Sequence, residues 1–255
     1  MKTLTQLWYL YLRGFKQSIR PYPSMIPELL MPIFFFLVNS AAFQRAVEIP
    51  GFGGESYLQF YAPVSLLTVI FLSSGSTGLE LVTDISTGYM SRLFLTPISR
   101  MMIIVSKLLA VGTKAVVQTI IMIVLLLLFG AQLDGGIVGL LLVIVLAFIF
   151  SLGWSGIGMT LAFITKNPRV VQSAFIFFFP FSMMTTAQLP LHLLEGWYKV
   201  VVQLNPVTYI LEAIRAIVMT GTIDRIYMEG LLAAVCFSAV TIAASTITYR
   251  RITRA

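Results

Sequence analysis

The chain has 255 residues, of which 58% are hydrophobic and 11% charged, with a formal net charge of +7. A soluble domain carries roughly 25% charged residues, so the composition excludes an ordinary soluble domain. The apolar runs are continuous rather than alternating, which selects an all-α membrane protein over a barrel.

Residues 1–21 come first. Leu4, Leu7, Trp8, Tyr11, Leu12, Phe15 and Ile19 recur at helical spacing on one face. Lys2, Gln6, Arg13, Lys16, Gln17 and Arg20 lie mostly off it, and Pro21 and Pro23 end the helix. This is the pattern of an amphipathic helix lying in the membrane interface with its apolar side in lipid. It is not a secretory signal: Arg13, Lys16 and Arg20 interrupt the apolar core, and no small-residue cleavage site follows.

A helical span needs about 20 apolar residues. Six are read, at 24–43, 57–79, 102–129, 137–164, 169–187 and 227–248. Pro27, Pro32, Pro63 and Pro180 fall within spans and should bend them. No internal repeat is evident, and 1–255 reads as a single transmembrane domain. The one cysteine, Cys236, can form no internal disulfide and holds no metal alone.

The loops orient the chain. Thirteen basic residues fall on one side: Lys2, Arg13, Lys16, Arg20, Arg92, Arg100, Lys107, Lys114, Lys166, Arg169, Arg250, Arg251 and Arg254. Four fall on the other: Arg45, Lys199, Arg215 and Arg225. The positive-inside rule makes the first side cytoplasmic, with both termini there and a basic tail at 249–255. The expected location is the inner (plasma) membrane. The positive charge is thus topological, and no nucleic acid partner is needed to explain it.

Two segments exceed a plain six-span bundle. The first is the cytoplasmic loop 80–101. Span 2 ends in SSGSTG (73–78), and Asp84, Gly88 and Arg92 then punctuate a short helix. Its Tyr89, Leu93 and Phe94 suit docking into a groove on a soluble partner; the alternative is a solvated connector whose arginines only fix topology. Thr96 is placed to cap the next helix with Pro97 at its first position. The chain re-enters the membrane after Arg100. The second segment, 188–226, is too apolar for a loop and is broken by Asn205-Pro206 into pieces too short to span, as in an outer re-entrant hairpin.

Isolated features are open to two readings. Glu212 and Arg215 are three apart on one helical face, as an outer gate or a structural ion pair. Glu28 lies near the cytoplasmic start of span 1, as a polar lining or a boundary residue. Phe175, Phe178, Phe179 and Met183 crowd span 5. They form a wall for a bulky apolar substrate, or surfaces for lipid and helix packing. Gly153-Trp154-Ser155-Gly156 is similar to the G-x-S-G nucleophile motif of rhomboid intramembrane proteases. A serine nucleophile needs a base in reach, and the only histidine is His192, in the outer hairpin.

The stretch D-x-x-x-G-x-x-x-R-L-x-x-T-P-I-S-R, Asp84 to Arg100, resembles the coupling loop of type-2 ABC exporter permeases, in their daunorubicin-exporter branch. L-P-L-H-L-L-E-G-W (189–197) followed by L-N-P-V-T-Y-I-L-E-A-I-R (204–215) resembles that family's outer hairpin. Lys114, inside span 3, departs from a simple boundary, and the sequence names no partner for it.

The resemblance implies a permease working with a second copy of itself, or a close relative, and with two separate ATPase subunits. A coupling helix at 84–95 would present Asp84, Gly88, Tyr89, Arg92, Leu93 and Phe94 to the ATPase. The cargo would be a hydrophobic drug or lipid-like molecule, with a polysaccharide or teichoic-acid exporter as the alternative. The chain contains no G-x-x-x-x-G-K-[ST] phosphate loop. ATP and Mg would therefore bind the partner, and this chain would be a transport subunit rather than an enzyme.

Overall fold

The computed structural model describes residues 2–20, 22–50, 52, 56–173, 178–221 and 223–252. All regular structure among them is helical. The long helices are α1 (Lys2–Ile19), α2 (Tyr22–Ala42), α3 (Tyr57–Gly75), α6 (Arg100–Leu128), α7 (Gly136–Thr165) and α12 (Arg225–Ile252). Between them lie α4 (Thr77–Ser86), α5 (Tyr89–Phe94), α8 (Pro168–Ser173), α9 (Phe178–Met183), α10 (Gly196–Leu204) and α11 (Pro206–Thr220).

Among the described residues five helices are long and apolar enough to cross a bilayer: Met25–Ala42, Tyr57–Ser86, Met101–Leu128, Gly136–Thr165 and Arg225–Arg251. The pair α10 and α11, bent by 80° at Asn205, makes a sixth if counted as one span. Of the segment read as a span at 169–187, residues 174–177 lie outside the described residues. What is described there is the two six-residue helices α8 and α9.

α3 is the central helix. Its buried residues lie all round it, from Tyr57 and Phe60 to Ile70 and Phe71, as expected for a helix with neighbours on every side. It packs on α2, α6, α7 and α11. α2 is the opposite case. Ile26, Leu30, Phe34 and Val38 form an exposed stripe at four-residue spacing, a surface suited to lipid or to another chain.

SSGSTG, read as the end of span 2, does not end the helix: the helical path continues through it to Ser86. Ser73, Ser74 and Thr77 are buried. Their hydroxyls donate back to the carbonyls of Ile70 and Ser74, so the polar groups are satisfied within the helix and need no water. Gly78 then meets α7, where an added Cβ would lie 2.7 Å from the Gly158 carbonyl oxygen.

α7 and α12 make the most extensive helix contact. A Cβ on Gly153 would come within 2.5 Å of Ser238 Oγ, and one on Gly156 within 3.0 Å of Thr241. Small residues let two backbones approach inside a membrane. Ser155, between them, is fully buried and donates to the Leu152 carbonyl at 2.8 Å. The G-x-S-G motif is therefore a packing seam: Ser155 bonds to its own helix, not to a base.

Two apolar cores result. The larger joins α2, α3, α6, α7, α11 and α12 around Phe36, Phe71, Phe150 and Ile214. The smaller lies where α4 and α5 meet the ends of α6, α7 and α12, around Leu81, Leu93, Phe163 and Tyr249.

Candidate functional site

The site is the loop formed by α4 and α5, with the polar layer beneath it. α4 stops at Ser86 because Gly88 turns the chain with φ of +69°, a conformation that L side chains rarely adopt. α5 follows as less than two turns. Leu93 points inward and is buried. Arg92, Phe94 and Leu95 face out, Leu95 with 87% of its surface exposed. Arg92 donates to the Thr87 carbonyl at 3.3 Å. Of the residues read as partner contacts, the structure thus leaves Arg92 and Phe94 on the surface, takes Leu93 into the core, and adds Leu95.

Thr96 does not cap the next helix as the sequence suggested. Its hydroxyl donates backward to the Leu93 carbonyl at 2.6 Å, closing the end of α5. Ser99 is the N-cap of α6, accepting from the Met102 amide at 3.4 Å. Pro97 lies before that cap, and α6 begins at Arg100.

Beneath α5, Asp84 is only 2% exposed. It accepts from Arg13 Nη2 at 2.8 Å and Gln17 Nε2 at 3.2 Å, and Lys107 pairs with its other oxygen. The Arg13 guanidinium also lies 3.3 Å from the centre of the Tyr89 ring, a cation–π contact. Burial pushes the Tyr89 phenol up from its ordinary value, so the ring is neutral at physiological pH. One arginine of α1 therefore holds both α4 and α5.

The polar layer continues along α6. Ser18 donates to Glu80 at 2.9 Å, and Ser76 links Glu80 to Lys114. Lys114 pairs with Glu28 at 3.0 Å, and Gln118 donates to the same carboxylate at 2.7 Å. Two acids (Glu28 and Asp84) thus pair with three bases (Arg13, Lys107, Lys114), while Glu80 is held by the hydroxyls of Ser18 and Ser76. This pairing makes charge tolerable inside an apolar bundle.

Sequence reasoning missed this network. Two regularities could have revealed it. Ser76, Glu80 and Asp84 are spaced by four, and Lys107, Lys114 and Gln118 by seven and four, so each set lies on one helical face. The same network adds to the reading of α1: Arg13 and Gln17, read only as lying off its apolar face, turn toward α4, where both donate to Asp84. α1 packs against α6, with Gly14 beside Ala110 and Tyr11 donating to Thr113 at 3.2 Å.

At the far end lies the hairpin. Asn205 Oδ1 accepts from the Val207 amide at 3.0 Å and caps α11, with Pro206 at its first position. The Asn205 amide also donates to the carbonyls of Phe181 and Met184, so one side chain sets the bend and ties it to α9. Arg215 is buried. It pairs with Glu212, donates to the Thr186 carbonyl at 2.8 Å and lies 3.9 Å from the centre of the Phe60 ring. A cavity of about 460 Å³ opens here, lined by Phe60, His192, Tyr209, Glu212 and Glu229 among others.

Of the residues read as a substrate wall, Phe179 and Met183 are exposed on α9. Phe175 and the Phe178 side chain lie outside the described residues. Nearby, Phe71 meets Phe150 and Trp154 edge to face, Trp154 stacks on Phe237, and Phe181 is edge-on to Trp154.

Comparison with known proteins follows the same lines. The pattern described as ABC-2 family transporter protein matches residues 48–247. The chain is 29% identical to the "Daunorubicin resistance ABC transporter permease protein DrrB1" of Streptomyces coeruleorubidus, over 86% of this chain and 75% of that protein. It is 26% identical to ycf38 of Cyanophora paradoxa, designated a transport permease, over 83% of this chain and 73% of that one. It is 24% identical to the "Probable doxorubicin resistance ABC transporter permease protein DrrC" of Mycobacterium tuberculosis, over 80% of this chain and 73% of that one.

Proposed function

Because the chain belongs to the ABC-2 family of transporter proteins, we propose that it is the membrane permease of an ATP-driven exporter of hydrophobic or amphiphilic molecules. Two ATPase subunits supply the hydrolysis, holding ATP and Mg themselves, and a second permease copy completes the pathway. The cytoplasmic side is the one bearing α5 and both termini.

The observation that carries this reading is α5. Arg92, Phe94 and Leu95 stand exposed at its tip, yet its base is fixed by Leu93 in a core and by Tyr89 under Arg13. An exposed apolar tip on a fixed base suits seating in a partner's groove. A push on α5 would pass through Asp84 to α1 and α6, and through α4 to α3. The drug-like cargo rests on the names of two relatives, "Daunorubicin resistance" and "doxorubicin resistance".

The test is co-purification from mild detergent with and without Arg92→Glu and Leu95→Asp, with efflux of a fluorescent amphiphile measured in the same cells. Both substitutions are at exposed positions, so the fold should persist. An ATPase should accompany the native chain and be lost with the variant, together with efflux. Unchanged assembly and efflux would remove the coupling assignment.

A further inference from the structure

We propose that α1 carries a binding site for an anionic phospholipid, with the phosphate headgroup held between Lys16 and Arg20. An open groove of about 570 Å³ lies along one side of α1, lined by Tyr9, Leu12, Arg13, Lys16, Gln17 and Arg20. Three of these residues are basic and none is acidic. Arg13 is committed to Asp84. Lys16 and Arg20 are exposed, and among the described residues neither forms an ion pair with an acid. They are four residues apart at the end of α1, where the Arg20 amide donates to the Lys16 carbonyl at 2.9 Å and carries the helical turn on to Arg20, so their Cβ atoms lie roughly 5–6 Å apart, a spacing that lets two cations share one phosphate.

The groove is graded along its length. Lys16 and Arg20 stand at one end, and Leu12 and the exposed ring of Tyr9 at the other. Exposed Trp8 and Leu4 continue the apolar end. α1 runs antiparallel to α6, with Gly14 beside Ala110 and Tyr11 beside Thr113. The basic end therefore lies toward the start of α6, where the chain enters the membrane, and the apolar end lies beside its more interior turns. A headgroup at Lys16 and Arg20 with glycerol and acyl chain along Leu12 and Tyr9 matches that gradient. A soluble anion would use only the basic end. Clusters of Lys and Arg beside a membrane attract acidic lipids in this way. The Arg13 contacts to Asp84 and Tyr89 then place the lipid one helical turn from α5. The inference rests on α1 alone and stands whether or not an ATPase docks on α5.

The test uses the full chain in nanodiscs of phosphatidylcholine with a minor fraction of phosphatidylglycerol, followed by native mass spectrometry of the lipid retained per chain. Two basic residues near the surface should give phosphatidylglycerol a preference of roughly 30-fold. Lys16→Gln with Arg20→Gln should bring it close to parity. Arg169→Gln with Arg251→Gln, which removes the same charge from other exposed positions, should leave it in place. Equal loss in both variants, or no preference in the native chain, would overturn the site. Displacement of the retained lipid by inorganic phosphate would overturn the lipid assignment in favour of a soluble anion. Loss of a co-purifying ATPase in Lys16→Gln/Arg20→Gln with lipid preference unchanged would overturn it in favour of a protein surface. Circular dichroism of each variant checks that the helices persist.

Discussion

At the scale of single residues, the ion pairs divide by burial. Arg225 and Glu229 pair at 2.7 Å in the open, and such pairs contribute about 0–1 kcal/mol. Lys114 is 1% exposed and its partner Glu28 14%. Removing one member of a buried pair strands a charge and costs about 3–5 kcal/mol. Lys114→Met alone is therefore expected to lower thermal stability in detergent sharply. Lys114→Met with Glu28→Leu should recover most of that loss, because neither charge remains. Equal damage in the single and double variants would mean that the charges are needed for something other than each other. The pairing itself was not legible in the sequence: Lys114 and Glu28 lie 86 positions apart. What the sequence did show was a lysine too deep for a boundary, and depth implies a partner without naming it.

At the scale of elements, the spans were legible because lipid imposes one rule, a long unbroken apolar helix with its backbone satisfied internally. α6 and α7 fall within a residue or two of their expected limits. Helix continuity was harder to read where local polarity suggested a loop. Ser73, Ser74 and Thr77 look like a loop by composition, but their hydroxyls donate to carbonyls of their own helix, which continues to Ser86. α1 was legible in part. Its apolar stripe could be read, while the protein it packs on takes Gly14, Ser18 and the polar Arg13 and Gln17. The α7–α12 seam yields a prediction at this scale. Gly156→Val inserts side-chain atoms where a Cβ already meets Thr241 at 3.0 Å. It should part the helices and reduce the folded yield on size-exclusion chromatography, whereas Ser155→Ala, which removes only a local bond, should leave both yield and efflux near native. A loss of efflux from Ser155→Ala in a normally folded chain would return the serine to the list of chemical groups.

At the scale of the whole molecule, the described residues gather at two ends. At one, Gln59 bonds to Gln132 at 2.6 Å, Tyr57 to the Gln188 carbonyl at 3.2 Å, and the Asp134 amide to the Val218 carbonyl at 3.1 Å. At the other, Phe94 and Phe163 both lie in tilted ring contact with Tyr249. The charge count predicts that the α5 end faces the cytoplasm. Lys107, Lys114 and Arg215 are buried and report packing rather than topology. Without them the sequence's own count becomes eleven basic residues on one side against three on the other, so the asymmetry that the rule uses remains. The rule is about translocation of exposed loops, and those loops can be read directly. In a chain whose exposed Cys236 is replaced by Ala, single cysteines at Ser91 and Asn167 should react with a membrane-impermeant maleimide only after the cells are opened. Cysteines at Gln44 and Glu195 should react in intact cells. All four positions are exposed, so silence at one reflects the membrane rather than burial. The reverse pattern would invert the chain and place α5 outside, out of reach of any ATP-hydrolysing partner. A mixed pattern between Ser91 and Asn167 would separate α5 from the end of α7, which the shared contact with Tyr249 does not allow.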